Sequence, residues 1–473
     1  MTAAGDELGG PGRFTGGRAV SAPGPGTEDP AAAARQLDSL ISDGDLHAAA
    51  DVVEAMPPGL VVNVLERSGA RDRAVVFRLL PKGTALVVFE ALDPPLQSEL
   101  IRALHADRVS QLFTDLDPDD RAGLVDELPA HVATRLLREL DHDEQALTAA
   151  VLDYPTGSVG RRMSPEFVST HPDLTAGDTL ERVRQRIDEA ETIYAIPVTD
   201  DHRQLVGIVG LRAVMRAEPG TPVRELMNPA ITARARESAE TAARRSADER
   251  LIVLPVVDDE DRLVGILTFD DALRVLEDAE TEDTARAGGS EPLGRPYLAT
   301  PVQSLVRSRV VWLLVLALGA ALTVQVLEVF EATIEQVVAL SLFVPLIIGT
   351  GGNTGNQAAT TVTRALALGD VRPRDALRVA GQELRTGITL GVILGGVGLT
   401  VAGLVYGADL GMVIGLTLLA LCTIAATVGG LMPLVARAVR ADPAVFSNPF
   451  ITTFVDALGL IVYFLIARAV LGL

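Results

Sequence analysis

The sequence predicts a multidomain membrane protein, with an acidic, water-exposed portion of short helices and a duplicated α+β unit followed by a five-helix transmembrane domain. Three observations predict it. Five apolar runs of about 20 residues fall within residues 301–473, each long enough to cross a hydrocarbon core at 1.5 Å per residue. A β-rich motif occurs twice between residues 156 and 275. Charge is split unevenly: of a formal net charge of −21, residues 301–473 carry +1 and residues 1–300 carry −22. Such an acidic portion argues against nucleic acid as a partner, whose backbone demands the opposite sign. It suits Mg2+ or Ca2+, which take carboxylate oxygens, although acidity that only keeps a surface soluble has the same composition.

Residues 1–31 are rich in Gly, Pro and Ala and lack the apolar core of a signal peptide, so a disordered tail is expected. Residues 32–155 carry apolar side chains at three- and four-residue spacing, broken by LDPP at Leu92–Pro95, LDPD at Leu116–Asp119, LLP at Leu79–Pro81 and ELP at Glu127–Pro129. Asp is a good helix cap and Pro fits a first turn. Short stacked helices in a superhelix follow, of undetermined hand, which suits a scaffold or sensor.

Residues 156–270 contain the duplication. MSP at Met163–Pro165 matches MNP at Met227–Pro229, 64 residues on. IPVTDDHRQLVGIVG from Ile196 matches LPVVDDEDRLVGILT from Leu254, 58 residues on. The difference reads as a linker shortened by six. Asp200–Asp201 and Asp258–Asp259 are expected to turn two hairpins. The pair resembles tandem CBS domains, a regulatory module. Residues 271–300 then read as a charged connecting helix, DDALRVLEDAETEDTARA, ended by Gly288, Gly289 and Pro292. It either transmits movement to the membrane or is an inert linker.

The expected spans are Val310–Phe330, Ile334–Leu368, Gly387–Tyr406, Gly411–Val435 and Pro449–Leu471. Arg372, Arg374, Arg378, Arg437 and Arg440 fall in loops on one side; Glu328, Glu331, Glu335 and Asp409 fall on the other. By the positive-inside rule residues 1–300 are cytoplasmic and the C-terminus is external, with Arg468 mildly opposed. Cys422 is a single copy, so no disulfide within the chain and no thiolate metal site is possible.

Two features of the membrane part point to chemistry. PLIIGTGGNTGNQ, Pro345–Gln357, places Gly, Asn, Thr and Gln inside an apolar run. Polar groups there are costly unless protein or a water-filled cavity covers them, so a broken span whose oxygens line an ion path is expected. The alternative is a Gly-rich helix-packing seam. Asp456 lies about eight residues into the last apolar run, with no basic residue within a turn, and an intramembrane acid marks a functional site by default. No second intramembrane acid is evident. With no nucleophile–base set, zinc spacing or cofactor fingerprint, no enzymatic activity is expected.

Domain order, five spans, PLIIGTGGNTGNQ and DPAVFSNPFITTFVDALGL together resemble the MgtE family of bacterial magnesium channels and transporters, over about residues 32–473. The resemblance implies a homodimer in the bacterial plasma membrane with one central Mg2+ path between subunits. Cytoplasmic Mg2+ would bind the soluble domains, and the connecting (plug) helix would hold the pore shut. It places the family's selectivity carboxylate on Asp456 and a pore-lining amide on Asn356, with Gly349, Thr350, Gly351 and Gly352 as pore-lining positions. Asp271, Glu282 and Asp283 match regulatory acids on the connecting helix. Arg250 and Arg274 stand where the family has acids, which implies fewer or weaker inhibitory sites and an ion pair in place of one Mg2+. Asp117, Asp119 and Asp120 form a further acidic group. ATP is implied as a regulatory ligand of the CBS pair. The competing expectations are a cation-coupled divalent-metal transporter and a non-conducting, membrane-anchored regulator.

Overall fold

The computed structural model describes residues 29–439 and 448–473. Most of the expected tail, Arg440 and the start of DPAVFSNPFITTFVDALGL lie outside the described residues. The chain divides into two compact units between Leu116 and Asp117.

The first unit is a run of short helices: α1 (Pro30–Ser42), α2 (Leu46–Glu54), α3 (Pro58–Arg67), α4 (Ala70–Leu79), α5 (Lys82–Glu90), α6 (Pro94–Ala103) and α7 (Ala106–Asp115). Helix α1 begins two residues inside the expected tail, because the Asp29 carboxylate accepts from Ala31 N at 2.9 Å. Val61, Leu65, Phe77, Phe89 and Leu100 are buried between the helices. Arg73 is buried with them and donates to the carbonyls of Leu65 and Ser68. Its cost of burial is offset by these bonds and by Glu99, 3.0 Å away.

The second unit continues with α8 (Pro118–Glu127), α9 (Ala130–Glu139) and α10 (His142–Leu152). Pro94 and Pro118 open their helices as expected, but the Asp93 and Asp117 side chains do not cap them. Asp117 instead shares a hydrogen bond with Glu191.

The duplicated region holds α11 (Ala176–Gln185), β1 (Ala195–Thr199), β2 (Leu205–Gly210), α12 (Leu211–Arg216), β3 (Ala233–Arg234), α13 (Ala239–Asp248), β4 (Val253–Val257) and β5 (Leu263–Thr268). Strands β1 and β2 pair antiparallel, as do β4 and β5, and β3 adds parallel to β4. Asp200 and Asp258 make the two turns alike, each carboxylate accepting from the backbone N–H groups two and four residues on. The hairpins also meet about a local twofold: Leu205 N donates to Asp261 O, and Leu263 N to Arg203 O.

The two Met-x-Pro segments are exchanged between the repeats. Ser164 pairs with Ile266 in the second sheet, and Asn228 with Ile208 in the first. Met163 packs where a Cβ on Gly265 would sit, Met227 where one on Gly207 would sit. The unequal offsets of 64 and 58 residues therefore belong to segments that cross between repeats.

Helix α14 (Phe269–Ala287) leads to the membrane part: α15 (Val302–Val329), α16 (Glu331–Gln336), α17 (Val344–Ala367), α18 (Ala376–Tyr406), α19 (Ala408–Ala438) and α20 (Asn448–Leu471). Five helical segments here are long and apolar enough to span a membrane. The first, third and fourth start earlier than the expected apolar runs, so Arg307 and Arg309 fall inside α15. Glu383 falls inside α18, an acid within a membrane helix that the expected third span, starting at Gly387, left outside.

The expected break at Pro345–Gln357 is also corrected. Helix α17 runs unbroken through it, and the irregular stretch lies upstream, in a 3-10 turn at Val338–Phe343. Pro345 suits the first turn of α17. Upstream, the Leu340 carbonyl is met by Tyr463 Oη at 2.9 Å. Ile347, Leu421, Ala425, Ile451, Val455 and Phe464 form the packed interior.

Candidate ion path and regulatory carboxylate cluster

Helix α17 has two unlike faces. Gly351, Gly352, Thr354, Gly355, Ala358, Ala359 and Val362 are buried. The glycines form a seam: a Cβ on Gly351 would lie 2.9 Å from Leu421 Cδ1, and one on Gly352 2.8 Å from Thr452 Cγ2. A Cβ on Gly429 of α19 would run into the Gly355 carbonyl oxygen, so these helices touch backbone to backbone. Gly349 differs, with nothing within 4 Å of its Cβ position, and so needs no glycine for packing. The Thr350 carbonyl accepts from Thr354 Oγ1 at 2.8 Å. Because the helix is intact, the backbone oxygens of this run serve the helix, and side chains present the polar groups.

Those side chains line the other face. Asn353, Asn356, Gln357, Thr360 and Thr361 recur at helical spacing around an open recess of about 380 Å³. Asn353, Gln357, Thr360 and Thr361 are exposed, within a helix that qualifies as a span. Asn356 turns toward α20, where its Nδ2 lies 2.9 Å from Thr452 Oγ1. One turn on, the Asp456 Oδ1 atom is buried and has no hydrogen-bond partner among the described residues. A Cβ on Gly352 would lie 3.5 Å from that oxygen, so the glycine leaves room for the carboxylate. Asp456, Thr452 and Asn356 are thus brought together. Thr452 was missed, since a Thr in a helix that contains several carries no signal of its own. Gly351 belongs to the seam and not to the polar face. Glu383 lies apart, with its Cγ against the site a Gly430 Cβ would take.

A second group of acids forms where α8, the first CBS-like repeat and α14 meet. Asp117, Asp119 and Asp120 open α8, and Asp271 sits in the first turn of α14. Glu166 and Glu191 come from the repeat, joined by Glu191 N to Glu166 O at 2.9 Å. Burial is the main cause that lifts these carboxyls, and their neighbours add to it. Glu191 is raised to about 8, with Asp117 and Asp271 beside it. Glu166 is raised to about 7, with Glu144 and Asp117 nearby, and Asp120 to about 6. Asp119 is pushed well up by burial and by Asp271, Asp120 and Glu191. Asp271 is raised by burial although it accepts from Thr268 Oγ1.

Arg274 enters this group from α14, its Nη1 3.4 Å from Asp120 Oδ1. An ion pair therefore stands where one was expected. Arg162 reaches Asp278 at 3.5 Å and ties the repeat to the same helix. Glu282 and Asp283 are not part of the group, since they lie about three turns farther along α14. Glu282 pairs with Arg286. Arg250 sits at a positive φ of 55°, in the turn before β4. Glu191 and Glu166 had no signal beyond acidity in an acidic stretch.

Helices long and apolar enough to span a membrane, with a buried acid oxygen on one and an exposed amide and hydroxyl face on another, joined through one helix to a carboxylate cluster, fit the class of multi-pass cation transport proteins. The comparisons agree. Residues 344–466 match the family model MgtE, a divalent cation transporter, and residues 56–157 match the MgtE intracellular N domain. Residues 157–220 and 223–278 match CBS domains. The chain is 37% identical over 442 residues to the magnesium transporter MgtE of Thermus thermophilus, covering 92% of this chain and 98% of that one. It is 30% identical to that of Enterococcus faecalis, over 67% of this chain and 70% of that one. Among solved structures, the cytosolic domain of the Mg2+ channel MgtE in complex with ATP aligns at 35% identity and a TM-score of 0.48, covering 51% of this chain and all of that one. The chain belongs to the MgtE family.

Proposed function

We propose that the protein is a Mg2+-selective channel for magnesium uptake, closed by Mg2+ on its cytoplasmic side. The observation that carries this reading is the Asp456 carboxylate, with one oxygen buried and unbonded among apolar helices beside an amide- and hydroxyl-lined face. A cation meets that need. Mg2+ sheds water reluctantly, so Asp456, Asn356 and the exposed amides of α17 suit a hydrated ion, which they bind through its waters. The exposed polar face of α17 cannot face lipid. Its coverage by a second copy in a C2 homodimer, with two Asp456 carboxylates across the axis, supplies both a cover and a path. Gly349 and Thr350 extend that path; Gly351 and Gly352 shape it from behind.

Regulation rests on the carboxylate cluster. Hard oxygen donors with raised pKa values fit Mg2+. The ion replaces protons there and draws α8, the CBS pair and α14 into one compact arrangement that favours the closed state. Arg274 already supplies one cation at Asp120, so fewer regulatory ions are needed. Glu282 and Asp283, farther along α14, are proposed to act at a separate regulatory position. ATP is proposed as a modulator of the CBS pair, without hydrolysis. Residues 1–300 are placed in the cytoplasm of a bacterial cell and the C-terminus outside.

One observation favours a second reading. Glu383 gives the membrane part another acid, which a cation-coupled transporter needs. Flux into liposomes decides: a reversal potential that follows Mg2+ alone, whatever the Na+ and proton gradients, supports the channel, and one that shifts with either gradient supports coupling.

A further inference from the structure

The exit of α14 is fastened to the membrane helices at three points. Glu291 N donates to the Ser308 carbonyl of α15 at 3.0 Å. Trp312 Nε1, one turn on, donates to Glu291 Oε1 at 2.9 Å. Gly289, at a φ of +68°, passes so close to α20 that a Cβ there would lie 2.9 Å from Pro449 Cγ. Both steric facts restrict this position to glycine.

These contacts lead directly to the candidate ion path. Pro449, Thr452 and Asp456 are spaced i, i+3 and i+7, so they share one face of α20. Pro449 and Asp456 are about 10 Å apart along the axis. Helix α15 meets the same helix farther in, where Thr453 Cγ2 fills the space of a Gly319 Cβ at 2.6 Å. A shift of the α14 exit therefore displaces α20 both directly and through α15. Ser290 closes onto Ala285, and the chain then runs to Pro301 without regular structure apart from one 3-10 turn at Tyr297–Ala299.

We propose that the Glu291–Trp312 clasp, with Gly289 against Pro449, is the joint that carries the position of α14 into α20, so Glu291 and Trp312 are positioning residues for gating. The inference rests on the gating reading above and adds the residues through which the sensor acts.

Trp312 is the chain's one tryptophan, so its emission reports on this joint alone. The test uses the full chain in liposomes, with internal Mg2+ stepped and Mg2+ flux measured beside Trp312 emission. Wild type should show an emission change over the same Mg2+ range that closes the flux. Glu291→Ala and Trp312→Phe should raise the half-closing Mg2+ at least about fivefold, the low end of ordinary coupling between sites. Maximal flux at low Mg2+ should stay within about twofold of wild type, since neither residue lies on the proposed path. Glu291→Gln keeps an acceptor oxygen and should close like wild type. Should Trp312→Phe fold poorly, the two Glu291 variants still decide. Normal closure in Glu291→Ala, or emission that stays flat while wild type closes, overturns the joint and leaves Mg2+ gating standing. Loss of coupling in Glu291→Gln equal to that in Glu291→Ala overturns the hydrogen-bond account. Wild-type flux that ignores internal Mg2+ overturns the gating reading, and the joint with it.

Discussion

Mg2+ binding to the cytoplasmic cluster should release protons near neutral pH, and the number follows from the structure. Glu191, Glu166 and Asp120 stand at about 8, 7 and 6 in the metal-free chain. At pH 7 these values leave about nine-tenths of a proton on Glu191, about half on Glu166 and about one-tenth on Asp120, roughly 1.5 in all. Coordination requires deprotonated carboxylates, so at least about 1.5 protons should leave when Mg2+ fills the cluster at pH 7, and at least about 0.6 at pH 8, with the raised Asp119 adding to both. Apparent Mg2+ affinity should accordingly rise with pH over this range. Calorimetric titration of the full chain in two buffers of different ionisation enthalpy measures the release. Glu191→Gln should lower it by about 0.9 protons. Mg2+ binding with a release below about 0.3 protons at pH 7 would refute the assignment of these carboxylates as the regulatory site. Stability has the matching sign. Without Mg2+ the folded chain holds protons that the unfolded chain does not, so this contribution is complete below about pH 4 and is lost as pH rises through about 6 to 8. Added Mg2+ should flatten that loss.

Two further outcomes follow from single contacts. Arg274→Ala removes the resident cation at Asp120 and should lower the half-closing internal Mg2+ by at least about threefold in a flux assay; an unchanged or higher value would show that Arg274 does not compete with Mg2+. Gly352→Ala forces a Cβ to within 2.8 Å of Thr452 Cγ2 and should cost about 1–3 kcal/mol with reduced flux, whereas Gly349→Ala, in open space, should stay within about 0.5 kcal/mol by thermal unfolding.

The sequence exposed the chemistry of the membrane part more readily than its geometry. Asp456 was legible because a charge stands out in an apolar run. PLIIGTGGNTGNQ was legible as special, but whether its glycines break a helix or seat one depends on Leu421, Thr452 and Val455, which arrive from distant segments. The seam reading therefore stood beside the broken-span reading until the packing was known. Glu383 was missed because the apolar run starts four residues after it, while the helix starts seven residues before it. In the repeats, motif and turn chemistry were plain, yet the exchange of Met163 and Met227 between sheets is a pairing choice no local pattern records. Arg274 was flagged by an unusual residue type in a family position, and its partner Asp120 lies 154 residues away. Glu191 lacked even that, being one acid among many until the fold buried it.

The central claim is that one intramembrane carboxylate selects the ion and the cytoplasmic cluster closes its path. Mg2+ flux into liposomes, measured for wild type and Asp456→Asn while internal Mg2+ is stepped from about 10 µM to about 10 mM, a range set by weak Mg2+ sites, tests it most directly. The account predicts wild-type flux that closes at the upper end, and an Asp456→Asn chain that folds but loses Mg2+ flux or its preference over monovalent cations. Selective flux in Asp456→Asn, indifferent to internal Mg2+, would contradict it.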